Sequence, residues 1–440
     1  MPDQFSSCQG LPLSRNSIYF WLRDNLLIFA AQTEPAHTKH SLKNFPPMVT
    51  TKSGSIWTPA FALLCLAQML GYAQHSILTP TFPLYVTQLG GSPFVVGLVL
   101  SCFAVTSVIA RPIVGHWVDR WNEAGVLISG LLFLGVSILV CLIPLVETTM
   151  LANALRGIGW AGLNAGGYAL LASSAPEAKR GEASGYYSGV QGSAAILFPA
   201  IALWLIYAPF GGFRVVFVVA VTLAIIGAGV GVVLARYVPS TVHEPKLAVT
   251  GPWWRELLSM EDREVLLPSA MLFALNMSLP ALTSFIVLYA HDLGIENFGS
   301  YFVVSGMTSL LARPLLGRVS DKIGRSHSLT AGFILQIIAL SLVTVASNLF
   351  AVLISGALYM LGCAIGGATT LALAVERANP QRRGKAMATY SIAYPLSYGV
   401  GSLLMGSIVE VGGYIVMFLT AAALAAAGLT LALKNWSRLK

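Results

Sequence analysis

The chain contains one segment twice, and this repetition constrains its fold more than any other feature. Arg313-Pro-Leu-Leu-Gly-Arg-Val-Ser-Asp-Lys-Ile-Gly-Arg325 has an earlier counterpart in Arg111-Pro-Ile-Val-Gly-His-Trp-Val-Asp-Arg120, with Arg, Pro, Gly and Asp at the same spacing. The two segments are 202 residues apart, and a second pair, residues 176–181 and 380–384, has nearly the same separation. Two pairs with one common displacement indicate an internal duplication. We therefore expect two homologous halves.

Each copy follows a long apolar run, and the composition indicates which class of protein carries such runs. The 440 residues are 56% hydrophobic and only 10% charged, whereas soluble domains are close to a quarter charged. So few charged side chains cannot cover a water-facing surface, which indicates a multi-pass membrane protein. The formal net charge of +8 is not gathered into a patch that would suit a polyanion, so we expect no nucleic-acid partner.

The sequence gives no sign of an enzyme, a cofactor or a metal site. Four of the five cysteines lie inside apolar runs, and none of the five has a neighbour at metal-ligand spacing. No nucleophile and base occur in an arrangement that suggests catalysis. We expect a non-enzymatic protein without a cofactor.

Twelve apolar runs of membrane-spanning length follow residue 57. They cover approximately residues 57–80, 93–114, 124–145, 149–174, 182–207, 213–236, 265–290, 296–317, 326–346, 348–376, 384–408 and 411–434. A helix needs about 20 predominantly apolar residues to cross a bilayer. The sequence therefore predicts an all-α membrane protein with twelve transmembrane helices in two pseudo-symmetric six-helix bundles. The bundles would occupy residues 56–236 and 265–440, joined by a cytoplasmic linker over residues 237–264.

Residues 1–55 precede the first run and are mixed in polarity. Arg23 and Asp24 interrupt a moderately apolar stretch, which leaves no membrane crossing and argues against a secretory signal. We expect a cytoplasmic tail, either disordered or lying at the membrane surface. Met1 and Met48 both remain candidates for the start of translation.

The distribution of Lys and Arg predicts the orientation of the chain. Of the 26 basic residues, 24 fall in the tail or in segments on one side of the predicted bundle. Only Arg214 lies in a loop on the opposite side, and Arg156 lies inside the fourth run. Basic loops remain in the cytoplasm. We therefore expect a plasma (inner) membrane protein with both termini in the cytoplasm.

The repeated segments resemble the loop motif of the major facilitator superfamily, Gly-x-x-x-Asp-Arg/Lys-x-Gly-Arg-Arg/Lys. The matching residues are Gly115, Asp119 and Arg120 in the first copy and Gly317, Asp321, Lys322, Gly324 and Arg325 in the second. The resemblance covers about residues 57–434, and the chain is similar to bacterial drug and metabolite efflux proton antiporters. It implies a secondary transporter that works by alternating access, takes a small-molecule substrate and protons, resides in the lipid bilayer and can act as a monomer.

The spacing of the repeated motif also predicts a cytoplasmic gate. Each copy places three residues on one helical face, namely Arg111, Gly115 and Asp119 in the first and Arg313, Gly317 and Asp321 in the second. Glycine permits the close approach of another helix, and a carboxylate against helix N-terminal amides gains about 0.3–1 kcal/mol. We predict that Asp119 docks near Gly384 and that Asp321 docks near Gly181. The alternative is that these charges only fix the topology.

Polar side chains inside the apolar runs predict a substrate cavity between the halves, near the middle of the membrane. The predicted cavity residues are Gln68, Tyr72, His75, Asn153, Arg156, Asn164, Gln191, Asn276, Tyr359, Tyr390 and Tyr394. Arg156 is the costliest, because a cation near the helix centre costs about 2.5–3.5 kcal/mol. Its segment Arg156-Gly-Ile-Gly159 resembles the fourth-helix arginine motif of proton-driven exporters, which implies proton coupling and substrate contact. The alternative is an arginine that extends to the outer surface.

His75 is expected at a depth similar to that of Arg156 because their two runs cross the membrane in opposite directions. A histidine can change its charge near neutral pH and carry a proton, or it can be a hydrogen-bonded packing residue. No Asp or Glu lies in the middle of a run. A proton-coupled mechanism would therefore lack an obvious buried carboxylate carrier.

The function that these observations favour is proton-coupled efflux of a small organic solute, either a drug-like compound or a metabolite. Uptake of a metabolite or sugar by symport or uniport is the first alternative. A non-transporting membrane receptor or scaffold is the second, and it would require a sizeable soluble domain. The only candidates, residues 1–55 and 237–264, are small.

Overall fold

The structure is a computed structural model, and it describes residues 56–120, 122–174, 179–238, 263–295, 298–378 and 383–439. Side chains are described throughout these ranges except at positions 119, 120, 180, 181, 263, 313–322, 383–385, 388 and 438. The tail predicted over residues 1–55 and most of the linker predicted over residues 237–264 lie outside the described residues.

Six long helices cover the first half of the described chain. They are α1 (Pro59–Gln88), α2 (Pro93–Arg120), α3 (Glu123–Leu139), α4 (Val146–Ser174), α5 (Arg180–Tyr207) and α6 (Phe213–Ala235), with a 3₁₀ turn Val140–Leu142 after α3. The sequence fixes where some of them begin. Pro59 occupies the first turn of α1, and the Thr58 hydroxyl accepts a hydrogen bond from Phe61 N at 3.2 Å. The Asn122 side chain caps α3 in the same way.

The second half is also helical but less regular. Its helices are α7 (Arg263–Met277), α8 (Ile286–Asp292), α9 (Gly299–Ile323), α10 (Arg325–Thr344), α11 (Leu349–Arg377), α12 (Arg383–Lys434) and α13 (Trp436–Leu439). A π-helical segment, Ala281–Phe285, links α7 to α8 and follows Pro280, which lacks a backbone donor. Within α12, Gly413 has φ 76° and ψ 180°, which is not helical, so two helices meet there.

Nine helices in the described part of the chain are long and apolar enough to cross a membrane. The twelve predicted runs are counted differently for three reasons. α4 carries several polar side chains and is not among the nine, and the apolar part of α9 covers only Gly299–Ala312. The last two runs are counted as one because α12 spans both, with the non-helical Gly413 between them. No strand occurs in the residues described, so the predicted all-α class agrees with the structure. The count of twelve spans stays a prediction.

Two helices of the first half, α3 and α6, expose large apolar side chains. α3 exposes Val136 and Leu139, and α6 exposes Val218, Ile225 and Ile226. Side chains of this kind have no favourable contact with water, so a belt of them indicates contact with lipid tails.

Helix pairs at equivalent positions of the two halves pack in the same way. A Cβ atom at Gly130 of α3 would lie 2.5 Å from Leu163 N of α4, so only glycine permits this approach. At Gly332 of α10, which is 202 residues later, a Cβ atom would lie 3.0 Å from the Gly362 carbonyl oxygen of α11. This pair has the displacement of the repeated motif, which supports the duplication inferred from the sequence.

The two halves share buried apolar surface. The largest buried cluster contains most of the second-half core, including Phe285, Tyr301 and Phe333. It also contains Leu84 and Val86 near the end of α1, together with residues of α2 and α5. Three further clusters of described residues lie within the first half. The halves are therefore joined by core packing where α1 ends and α2 begins.

Candidate functional site

The polar stripes predicted on α1 and α4 face each other. The Tyr72 hydroxyl donates to Asn164 Oδ1 at 2.8 Å, and Asn164 Nδ2 donates to the Trp160 carbonyl oxygen at 2.9 Å. The Tyr72 and Trp160 rings are tilted against each other with centroids 4.6 Å apart. Tyr72, Trp160 and Asn164 are each half-buried. They form a polar and aromatic surface between the two helices.

Arg156 lies deeper than this surface and is only 3% exposed. One terminal nitrogen, Nη1, donates to Asn153 Oδ1, and the other, Nη2, lies 3.1 Å from His75 Nδ1. Asn153 is itself held by α2, because its Nδ2 donates to the Val99 carbonyl oxygen at 2.7 Å. The guanidinium group is therefore connected to α1 through His75 and to α2 through Asn153.

The proton positions of the His75–Arg156 contact follow from the chemistry of the two groups. A guanidinium has only donors, so Nδ1 of His75 must accept the hydrogen bond. An imidazole that accepts at Nδ1 carries its own proton at Nε2 and is neutral. The sequence placed these residues at similar depth, and the structure brings them into contact.

Aromatic rings surround this pair. The guanidinium carbon of Arg156 lies 5.0 Å from the Phe82 ring centre and 5.3 Å from that of Phe103, within the range of cation–π attraction. The His75 ring stacks on Trp160 with centroids 4.1 Å apart. Sequence reasoning missed Phe82 and Phe103. Phe82 was open to prediction, because it continues the α1 stripe at two helical turns from His75.

The charge of Arg156 has no carboxylate to balance it among the described residues. The ion pairs found between described side chains join Arg325 to Glu376 and His291 to Asp292, both outside this region. Nε of Arg156 is buried without a hydrogen-bond partner. An intramembrane cation in this condition is expected to serve function rather than stability.

The two predicted glutamines connect α1, α4 and α5. Gln68 Nε2 donates to the Leu163 carbonyl oxygen at 2.9 Å, and Gln191 Nε2 lies 3.4 Å from Gln68 Oε1. Both side chains are buried. These two contacts join α1 to α4 and α1 to α5, one helical turn before Tyr72 on α1.

The predicted residues of the second half do not converge on Arg156. Asn276 donates to the Leu272 carbonyl oxygen of its own helix at 2.8 Å, which is internal to α7. The Tyr359 hydroxyl lies 2.8 Å from Ser278 Oγ and is fully buried, and the Tyr390 hydroxyl lies 2.9 Å from Thr370 Oγ1. Tyr394 is 50% exposed.

The π-helical segment between α7 and α8 contributes one contact that the sequence did not indicate. Ser284 lies within this segment, and its Oγ is 2.8 Å from the Tyr398 hydroxyl of α12. π-helical segments occur preferentially at functional sites. Tyr398 lies four residues after Tyr394 in α12 and is half-buried.

The predicted cytoplasmic gate is described only in part. Arg111 Nη1 donates to the carbonyl oxygen and to Oγ of Ser391 at 2.9 and 2.8 Å, which joins α2 to α12. Gly324 has φ 88° and precedes α10, and Arg325 pairs with Glu376 at 2.8 Å. The helices that carry the remaining gate residues are described but the side chains are not: Asp119, Arg120, Arg313, Gly317, Asp321 and Lys322. The docking of Asp119 near Gly384 and of Asp321 near Gly181 therefore stays a prediction.

At the opposite end from this gate, α2 and α12 meet along a line of small residues that we call the α2–α12 seam: Gly97, Ser101, Gly399, Ser402 and Gly406. A Cβ atom at Gly97 would lie 2.4 Å from the Ser402 carbonyl oxygen. Ser101 Oγ donates to the Gly399 carbonyl oxygen at 2.7 Å. The two helix backbones are therefore in direct contact.

Comparison with known proteins decides the family. The sequence matches the family model described as Major Facilitator Superfamily over residues 64–308 and 266–436. The chain belongs to the major facilitator superfamily. The family and the fold predicted from the repeated motif are confirmed, and the protein is a multi-pass membrane transporter rather than an enzyme.

Several curated superfamily members resemble this one. Multidrug resistance protein 1 of Bacillus subtilis (strain 168) is 33% identical over 130 residues, which cover 29% of this chain and only about a third (33%) of that protein. The multi-drug resistance efflux pump PmrA of Streptococcus pneumoniae serotype 4 is 25% identical over 304 residues, covering 66% of this chain and 74% of the pump.

Solved superfamily structures share the fold. The human organic anion transporter MFSD10 superposes with a TM-score of 0.64 at 16% identity, covering 85% of this chain and 99% of that one. A POT family transporter with a bound conjugated peptide has a TM-score of 0.68 at 12% identity, covering 86% of this chain and 96% of the other. At these identities the likeness concerns the fold alone.

Proposed function

We propose that this superfamily member exports a small organic solute, a drug-like compound or a metabolite, across the plasma membrane in exchange for protons. The two halves, residues 56–236 and 265–440, would rock about a central pathway in a single chain with both termini in the cytoplasm. The multidrug efflux pumps among its relatives support the outward direction.

The observation that carries this proposal is a difference in packing between the two ends of the bundle. Across the α2–α12 seam and between α5 and α9, backbone and side chains are in close contact; a Cβ atom at Gly306 would lie 2.5 Å from Ile196 Cγ1. Towards the end with the predicted gate, Cβ atoms at Gly115, Gly185 and Gly189 would meet no described atom within 4 Å. We interpret this as a conformation that is sealed on the outer side and packed more loosely among the described residues of the cytoplasmic end, where Arg111 still joins α2 to α12 through Ser391.

The pathway suits a neutral, amphipathic solute. Tyr72, Trp160 and Asn164 combine aromatic faces with amide and hydroxyl groups, which is the usual lining of small-molecule sites. We propose that these half-buried residues, with Tyr394 and Tyr398 of α12, contact the solute. Gln68, Gln191 and Asn153 would hold the surface in shape.

Transport into everted membrane vesicles tests direction and coupling together. Vesicles containing the full chain would be energised to an acidic lumen and offered ethidium, a neutral dye or an anionic dye. We expect accumulation of at least one dye, abolished by a protonophore. Lipid-facing Val136→Leu is the matched control and should not change the rate.

Other outcomes would support the alternatives. Accumulation in intact cells rather than in everted vesicles would indicate uptake, and flux that ignores the protonophore would indicate uniport. If no dye and no member of a metabolite panel moved in either orientation, the receptor or scaffold hypothesis would replace transport.

A further inference from the structure

The His75–Arg156 contact is the part of the pathway that a proton would alter most directly. Nδ1 of His75 holds a lone pair that accepts the hydrogen bond from Arg156 Nη2 over 3.1 Å. A proton that binds to Nδ1 uses the same lone pair. Proton binding and this hydrogen bond therefore exclude each other.

We infer that Nδ1 of His75 is the site where the transported proton binds, and that its protonation releases Arg156 to open the outer side. The inference rests on the proposed proton coupling and assigns it a residue. When the outer side opens transiently, a proton from outer water forms the N–H bond at Nδ1, so the Nη2–H···Nδ1 hydrogen bond cannot re-form and the outer side stays open. Nothing is oxidised or reduced. When Nη2 returns, the proton leaves Nδ1 for water on the cytoplasmic side.

The surroundings of His75 make this exclusion strong. Arg156 of α4 is the charged group that faces the ring; Trp160 stacks on it at 4.1 Å, and Phe103 of α2 lies 5.1 Å away. Near Arg156, the other titratable groups are the Cys141 thiol and the Tyr398 phenol. No described carboxylate is placed to neutralise two adjacent cations, so an imidazolium and the guanidinium must separate.

A continuous set of contacts leads from this pair to the α2–α12 seam. Arg156 donates to Asn153, and Asn153 Nδ2 donates to the Val99 carbonyl oxygen at 2.7 Å. Val99 lies in α2 between Gly97 and Ser101, the two residues that meet α12 across the seam. Movement of Arg156 therefore acts on the helix that seals the outer side. Asn153 is a positioning residue in this mechanism.

The pH dependence of outer opening tests the inference without a transported solute. Ala200 of α5 faces Gly299 of α9, with 3.5 Å between Ala200 Cβ and a Cβ atom built at Gly299. Ala200→Cys in the purified full chain would be labelled with a membrane-impermeant maleimide, counting only the rate above that of the unsubstituted chain. A single site changes its protonated fraction up to about tenfold per pH unit. Across the two units from pH 8 to pH 6 we therefore expect opening to increase by up to about a hundredfold, after correction for thiolate formation with a soluble thiol.

Two variants identify the residue responsible. His75→Asn keeps an acceptor for Arg156 but cannot take the proton, so labelling should become independent of pH. Thr79→Val is the matched control one turn along α1. Thr79 Oγ1 donates to the His75 carbonyl oxygen at 3.5 Å, not to the imidazole ring, so this variant should keep the wild-type pH dependence. Unchanged pH dependence in His75→Asn, or labelling that ignores pH in the wild type, would overturn the inference.

A third variant covers the case in which His75→Asn does not fold. Asn153→Ala breaks the connection between Arg156 and Val99 while leaving His75 in place. It should still take up one proton in a pH titration of the purified protein, but labelling at position 200 should no longer follow pH. Labelling that still follows pH would contradict the route through Asn153. Proton-driven dye flux in vesicles is measured independently of these labelling rates. If flux is present but labelling contradicts the role of His75, the proposed export stands and only this proton site is wrong.

Discussion

Gly97→Ala should open the outer side of the transporter, because it adds an atom where two helix backbones touch. The added Cβ would lie 2.4 Å from the Ser402 carbonyl oxygen and 3.2 Å from Gly406 Cα. Both neighbours are backbone atoms, so no side-chain rotation can relieve the overlap. α2 and α12 must move apart at the seam, which is the movement expected when the outer side opens.

The size of the effect follows from the difference between the two conformations. Gly→Ala inside a helix gains about 1 kcal/mol of helix propensity, but α2 is helical at position 97 in both conformations and this gain cancels. The overlap exists only when the seam is closed. Overpacking of this kind costs about 1–3 kcal/mol, which corresponds to a shift of about 5- to 150-fold towards the open form.

Labelling of Ala200→Cys from the outer side measures this shift, because position 200 lies in α5, away from the substituted helix. The matched control is Gly229→Ala in α6, where an added Cβ meets no described atom within 4 Å. We expect Gly97→Ala to accelerate labelling and Gly229→Ala to leave it unchanged. Equal labelling rates in the two variants would show that closure of the seam does not seal the outer side.

Three further predictions address other contacts. Arg156→Lys keeps the charge but loses the planar guanidinium that reaches Asn153 and His75 together. A hydrogen bond from a charged group contributes about 1.5–3 kcal/mol, so proton-driven dye flux in everted vesicles should fall at least about tenfold. Glu410→Gln weakens the hydrogen bond that its carboxylate accepts from Phe94 N at 3.2 Å at the start of α2, and labelling at position 200 should rise about two- to fivefold at low salt and less at high salt. Gly130→Ala should lower thermal stability by about 1–3 kcal/mol of overpacking, measured in detergent with lipid-facing Val136→Leu as control, and an unchanged melting temperature would contradict the α3–α4 contact.

The fold was largely open to prediction because membrane helices leave a strong signal in the sequence. Apolar runs of sufficient length define helices one by one, and the displaced motif at Arg111 and Arg313 indicates how they are grouped. The break at Gly413 lies close to the predicted boundary between runs 384–408 and 411–434, where Glu410 and two glycines interrupt the apolar sequence. The π-helical segment after Pro280 was not predicted, because a proline inside an apolar run does not distinguish a π-helical segment from a kinked α-helix.

The candidate site was predicted in its residue types but not in its contacts. Helical spacing placed Tyr72 and His75 on one face of α1 and gave Arg156 a similar depth, and both pairings with α4 are present. The spacing could not show that Tyr359 turns inward to Ser278, since a tyrosine in an apolar helix fits a cavity and a core equally well. Nor could it identify Ser391 as the partner of Arg111, because contacts between the halves depend on how the bundles dock.

The duplication separates residues that maintain the bundle from those proposed to couple protons to transport. Gly130 is matched by Gly332, as expected where backbone approach is needed in both halves. The same displacement of 202–204 residues leads from His75 to positions 277–279 and from Arg156 to positions 358–360. The first set holds Met, Ser and Leu and the second Leu, Tyr and Met, so the second half has no counterpart of either side chain. A cation in both halves would place two unpaired charges across one pathway, whereas a single pair needs only one proton to disrupt it. The proposed proton site therefore acts from the first half, and the second half responds through the helix that α2 contacts.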